Sequence, residues 1–229
     1  MFTFKAFKAA EEPELCQMYA EGHVQVLRDY GITNITSNNQ EWTKLDVVYC
    51  VVAYDEHGEM VGGIRVQKAD GKNMLPVERA VGFMDPRIHE IVGAYVSAGV
   101  GELCALWNSK KVAGVGLSML LTRAGISIAS QVGINIMVGI CADYTLKMFT
   151  KVGFVVDGSL GSSGEFVYPN ENYIARVLGI LNARNLETAE EEDRERMLSL
   201  RSEPNQIHME TGPKGPFQVN YQLLMTLTP

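Results

Sequence analysis

The sequence predicts an α/β protein with a mixed sheet. Three observations lead there. Strand-like and helix-like hydrophobic periods alternate along the chain. Two strand-like segments, 102–107 and 135–142, flank one helix-length segment, a spacing that fits a parallel pair joined by a crossover helix. Two apolar runs, 46–54 and 60–67, are separated by a short polar turn and fit an antiparallel hairpin. The chain has 229 residues, 46% hydrophobic and 21% charged, enough to bury a sizeable core.

Taken in order, Phe2, Phe4 and Ala6 alternate with polar residues and predict a first strand. Pro13 suits the first turn of a helix whose face reads Leu15, Met18, Tyr19, Gly22 and Val26, with Gly31 as its stop. A polar stretch, 33–44, reads as a loop. After the hairpin, Pro76, Gly82 and Pro86 interrupt a region of loop and short helix, with an amphipathic run from Ile88 to Val96. The crossover helix is expected over 115–131, with Leu117, Leu120, Leu121, Ala124 and Ile128 on one face. Asp143 reads as the N-cap of a short helix closed by Gly153. Strands follow at 154–157 and 173–181. Thr188 and Glu191 have capping-box spacing before an acidic, solvated helix. The Gly-Pro-Lys-Gly-Pro turn at 212–216 precedes a last strand, 217–225. These readings divide the chain into a domain over 1–183 and an extension over 184–229 packed on it.

A formal net charge of −7 argues against nucleic acid as the main partner. The four cysteines, at 16, 50, 104 and 141, lack metal or redox spacing and sit in core-like settings, which suits a reducing, cytoplasmic compartment. The uncharged stretch 124–142 changes period at Gly133, so it reads as helix, turn and strand, with no membrane span. His23, His57, His89 and His208 are scattered and predict no metal site.

The stretch 107–117 carries the chemistry. It joins a strand to a helix through Gly114 and Gly116, beside Lys110 and Lys111. Such a loop presents backbone N–H groups at a helix N-terminus, and glycine admits a phosphate close to the backbone. Packing alone also places two glycines between a strand and a helix. No Gly-Lys-Ser/Thr follows, and Met119 stands where a dinucleotide fingerprint needs glycine.

Residues 111–116, Lys-Val-Ala-Gly-Val-Gly, resemble the Arg/Gln-x-x-Gly-x-Gly/Ala motif of the GNAT (Gcn5-related N-acetyltransferase) superfamily. Residues 143–154 resemble that family's second motif, keeping its Lys-x-Gly-Phe ending at Lys151, Gly153 and Phe154. The resemblance covers the order of elements from Phe2 to about Leu181. It implies a splayed mixed sheet, a GNAT-like acyl-CoA N-acyltransferase fold with a C-terminal extension. It also implies acetyl-CoA or a longer acyl-CoA as donor, and no metal. The implied donor contacts are Ala105, Leu106 and Trp107 on the fourth strand, then Lys111, Val112, Ala113, Gly114, Val115, Gly116 and Leu117, with Asp143 and Phe149 beside the pantetheine arm.

Many of these enzymes carry a tyrosine acid where this chain has Phe149. Tyr144, at the other end of the same short helix, is the phenol nearby. Glu102 opens the fourth strand in a partial match to the N-acyl amino acid synthase and acyl-homoserine-lactone synthase branch, with Cys104 and Ala105 replacing its Ser-Arg. Glu102 is the candidate general base. The expected activity is acyl transfer to the primary amine of a small-molecule acceptor. The alternative is a catalytically silent acyl-CoA-binding or sensor protein. An acyl carrier protein is a second donor, disfavoured by the chain's own acidity. A homodimer is compatible with these readings, and no nucleic acid or membrane partner is expected.

Overall fold

The computed structural model describes residues 1–29, 31 and 40–226. Its strands are β1 (Phe2–Lys8), β2 (Val48–Tyr54), β3 (Met60–Lys68), β4 (Val100–Asn108), β5 (Ile136–Ala142), β6 (Val155–Val156), β7 (Glu165–Val167), β8 (Ile174–Ile180), β9 (Asn205–Gly212) and β10 (Gly215–Gln222). They form one sheet in the order β6-β8-β5-β4-β3-β2-β1-β10-β9, with β7 also on β8. The helices are α1 (Pro13–Asp29), α2 (Pro76–Val81), α3 (Arg87–Tyr95), α4 (Leu117–Ala129), α5 (Leu146–Lys151) and α6 (Glu191–Ser202).

Both faces of the sheet are covered. On β2, Val48, Cys50 and Val52 pack in the cluster with α1, while Tyr49, Val51 and Ala53 pack in the cluster with α4. Every residue of β2 from Val48 to Ala53 is therefore apolar and buried. A helix on each face removes any need for a polar side.

Several local expectations need correction. On α1 Leu15, Tyr19 and Val26 pack toward the sheet as expected, Cys16 and His23 join them, and only Met18 is exposed instead. Gly22 is on the expected face too: a Cβ there would lie 2.2 Å from the Trp107 ring. Asp143 does not cap a helix; its carboxylate pairs with Arg176 on β8, and Thr145 precedes α5. Thr188 is not a cap either. Its hydroxyl bonds the Gly153 carbonyl, and α6 begins after Glu190. The acidic α6 is solvated on one face only, because Asp193, Met197 and Leu200 are buried. The tail before 217 holds a strand, β9, that was not expected. The loop expected over 33–44 lies outside the described residues as far as 39, and Glu41–Lys44 form a 3-10 turn.

The segment after 183 adds its strands to the same sheet. β10 runs parallel to β1, with Phe2 beside Val219 and Lys5 beside Gln222, and β9 completes the edge. α6 packs against α4.

Candidate active site

β4 and β5 pair in parallel only at Val100–Ile136, Gly101–Met137 and Glu102–Val138. Beyond that point β4 continues along β3 and β5 continues along β8. The two strands splay. At the apex Gly139 lies against β4: a Cβ there would be 3.1 Å from the Leu103 carbonyl oxygen. Past the apex β4 carries a bulge. Gly63 faces Trp107 and Arg65 faces Cys104, so β4 has one residue more than β3 over the same span. Ala105 takes up the extra length with φ of 50°. Its carbonyl accepts a hydrogen bond from the Tyr19 hydroxyl of α1.

The splay opens a cleft of about 240 Å³. Its apolar wall includes Ile64, Leu103, Leu106, Ile140 and Phe149, and its polar lining includes His23, Arg65, Glu102, Cys104, Tyr144 and Tyr168. Phe149 is buried and packs edge-on against Phe154 at 5.5 Å. Tyr144 is exposed at the rim.

β4 ends at the glycine turn. Gly114 and Gly116 have φ of 74° and 100°, left-handed values that a side chain resists. Gly116 is the residue before α4, so the turn delivers its backbone to that helix's N-terminus. Val112 and Leu117 are buried and anchor the turn. The lysines behave differently from expectation. The Lys111 ammonium rests on Glu59, and Lys110 lies 3.3 Å from Asp29. The cation nearest the turn comes from the β9–β10 connection: Lys214 Nζ donates to the Ala113 carbonyl at 2.7 Å, and its Cε lies 3.3 Å from where a Gly114 Cβ would be. Pro213 lies equally close to Gly116. Trp107 buries its ring against Tyr19 and α1, leaving only its backbone for the donor.

Glu102 is fully buried. Its Oε2 accepts the Val77 N–H at 2.7 Å, while Oε1 has no partner. Burial pushes its carboxyl up to about 8, against the pull of that bond and of the Arg65 charge. Cys104 is held as a thiol, pushed up to about 11 by burial, so it is a poor nucleophile.

Sequence reasoning missed a second cavity, of about 400 Å³, between α1 and the sheet. Tyr19, His23, Arg28, Trp42 and Arg65 line it, and His23 and Arg65 also line the cleft. Burial lowers His23 to about 4, helped by the Arg65 charge, so the imidazole is neutral at pH 7. Among the described residues, no group of three or more metal-ligating side chains converges, and no helix is long and apolar enough to cross a membrane.

No protein-family model matches the chain, and no curated protein matches it by sequence. Solved structures do match in shape. FeeM, an N-acyl amino acid synthase from uncultured soil microbes, superposes with a TM-score of 0.60 at 11% identity, over 85% of this chain and 97% of its own. An acyl-CoA N-acyltransferase from Pseudomonas aeruginosa gives 0.55 at 12% identity, over 79% and 99%. BjaI, a CoA-dependent acyl-homoserine lactone synthase solved with SAM and isopentyl-CoA, gives 0.55 at 14% identity, over 89% and 91%. The splayed strands, the β4 bulge and the glycine turn thus sit in the fold of the GNAT acyltransferases.

Proposed function

We propose that the protein transfers an acyl group from acyl-CoA to the primary amine of a small molecule, by direct attack with donor and acceptor bound together. The observation that carries this reading is the cleft between β4 and β5, with the β4 bulge on one wall, together with the two-glycine turn that follows β4 and leads into α4. The turn suits the diphosphate and the splay suits the pantetheine arm. The residues present fit the donor. Gly114 and Gly116 take left-handed φ at the N-terminus of α4, with Lys214 and Pro213 packed where their Cβ atoms would be, and the cleft walls are mostly apolar.

Bound there, a thioester supplies an activated acyl carbon. The C–N bond forms as the C–S bond breaks. The amine must lose a proton to attack and the thiolate must gain one to leave. Glu102 is the base we assign: it lines the cleft, its buried Oε1 has no hydrogen-bond partner, and its carboxyl, pushed up to about 8, would take the amine's proton in its ionised form. Tyr144, which lines the cleft at its rim, is the phenol we assign to protonate the thiolate. Phe149, standing where a hydroxyl is common, favours a second reading, an acyl-CoA sensor without turnover.

Thermal stability with octanoyl-CoA tests the site. At about 100 times its Kd the ligand should add roughly 2.7 kcal/mol. Gly114→Asp adds a Cβ and a negative charge at the turn and should abolish the gain. An equal shift in both proteins would remove the donor from this turn, and binding without CoA release across an amine panel would select the sensor.

A further inference from the structure

We infer that Tyr19 is a positioning residue for the donor: from α1, its hydroxyl holds the Ala105–Leu106 peptide of the β4 bulge in the orientation that the thioester carbonyl needs. This rests on the acyl-CoA reading of the cleft, but the hold on the bulge stands on its own geometry.

A bulge gives one strand a residue that its neighbour does not match, and the ladder is broken there. Between Cys104 and Trp107, β4 sets two residues, Ala105 and Leu106, against the single Ile64 of β3. Ala105 meets the extra length in the left-handed region, at φ of 50°, a conformation that an alanine resists. Its carbonyl accepts a hydrogen bond from the Tyr19 hydroxyl, 86 residues away in the chain. A trans peptide points its N–H opposite to its C=O, so this one bond also fixes the direction of the Leu106 N–H. Ala105 and Leu106 both line the β4–β5 cleft. Negative charge gathers on a thioester oxygen as an amine attacks, and a backbone N–H fixed beforehand stabilises it.

The ring is wedged, which leaves the hydroxyl little freedom. Tyr19 is 1% exposed. It meets Trp42 and Trp107 edge-on, with ring centres 5.7 and 6.0 Å away. Gly63 on β3 makes the room: a Cβ there would lie 2.6 Å from the Tyr19 ring. Burial raises the phenol well above its ordinary value, so the hydroxyl keeps its proton and stays a donor at neutral pH. Tyr19 lines the α1 cavity and not the cleft, so it reaches the donor only through the bulge. Without that hydroxyl, a part-buried carbonyl loses its partner beside a residue that already resists its conformation, and the peptide is free to turn.

The test reads the thioester directly, with no amine present. Octanoyl-CoA isotopically labelled at its carbonyl carbon is bound to the wild type, to Tyr19→Phe and to the double variant Tyr19→Phe with Ala105→Gly. Difference infrared spectroscopy gives the carbonyl band, and calorimetry gives the Kd. In the wild type the band should lie below its frequency in water. Tyr19→Phe keeps the ring, so the Kd should stay nearly unchanged while the band returns toward its position in water. Glycine takes the left-handed φ unaided, so the double variant should regain most of the shift. A tyrosine that only filled space would give no such recovery. If Tyr19→Phe does not fold, Gly63→Ala takes its place, because its Cβ pushes the ring aside and leaves the hydroxyl on the protein. An unshifted wild-type band, a variant band equal to the wild type's, or no recovery in the double variant would each overturn the inference. Wild-type protein that does not bind octanoyl-CoA at all would remove the donor reading and this inference with it; binding with an unshifted band removes the inference alone.

Discussion

Between pH 4.5, the ordinary value of its carboxyl, and about 8, Glu102 holds a proton in the folded protein that it releases when unfolded. The unfolded state therefore binds fewer protons in that window, and stability falls as pH rises through it, by up to about 1.4 kcal/mol per unit. Glu102→Gln should flatten this slope in urea denaturation measured from pH 5 to 9; an unchanged slope would show that Glu102 is not the group responsible. If the ionised form is the base, kcat/KM should climb toward pH 8, and the same variant should lose roughly 10²–10⁴ in rate at neutral pH with donor affinity nearly intact. Glu102 entered as a candidate through the family resemblance at the fourth strand, although that strand begins two residues earlier, at Val100. Arg65 was not legible. In Gly-Gly-Ile-Arg-Val-Gln it alternates with Ile64 and Val66 as any outward strand residue would. Only the placement of α1 over that face buries it, and no periodicity in the strand carries that fact.

Elements differ in how openly they announce themselves. α4 was readable from the period of its apolar face, β2 from an unbroken apolar run, and the glycine turn from two glycines between a strand and a helix. β9 was hidden by inversion. Ile207 and Met209 face solvent, and Glu210 is the buried residue. Glu210 accepts from Arg196 at 2.8 Å and from Tyr221 at 2.7 Å, and lies 3.5 Å from Arg123, which also holds the buried Asp193 at 2.6 Å. This network ties α4, α6, β9 and β10 together through charge, so hydrophobic patterning could not reveal it. Removing one member leaves the others buried and unbalanced. Glu210→Ala should cost about 3–5 kcal/mol in chemical denaturation. A loss under about 1 kcal/mol would mean that water reaches the two arginines and the network is not buried in solution.

For the whole molecule, the order of the two motifs made the central sheet and its splay readable, while the acceptor side depends on how α1, α2 and the segment after Trp42 enclose a space. The donor's chain length belongs to this scale too. The cleft wall offers Ile64, Leu103, Leu106, Ile140 and Phe149 to an acyl tail. Each buried methylene contributes about 0.8 kcal/mol, so two of them already favour a longer chain roughly tenfold. Octanoyl-CoA should therefore outcompete acetyl-CoA by at least about tenfold in displacement binding; equal affinities would leave no room for a tail. The parallel contact of β1 with β10 has a consequence for biosynthesis. β1 leaves the ribosome before β2 and pairs with it early, but its other edge is covered only when β10 has been made. Until then the nascent chain displays an unpaired row of backbone donors and acceptors beside Phe2 and Phe4, a template for strands of neighbouring chains. A translation pause before β10 should therefore expose the protein to aggregation more than the same pause after it.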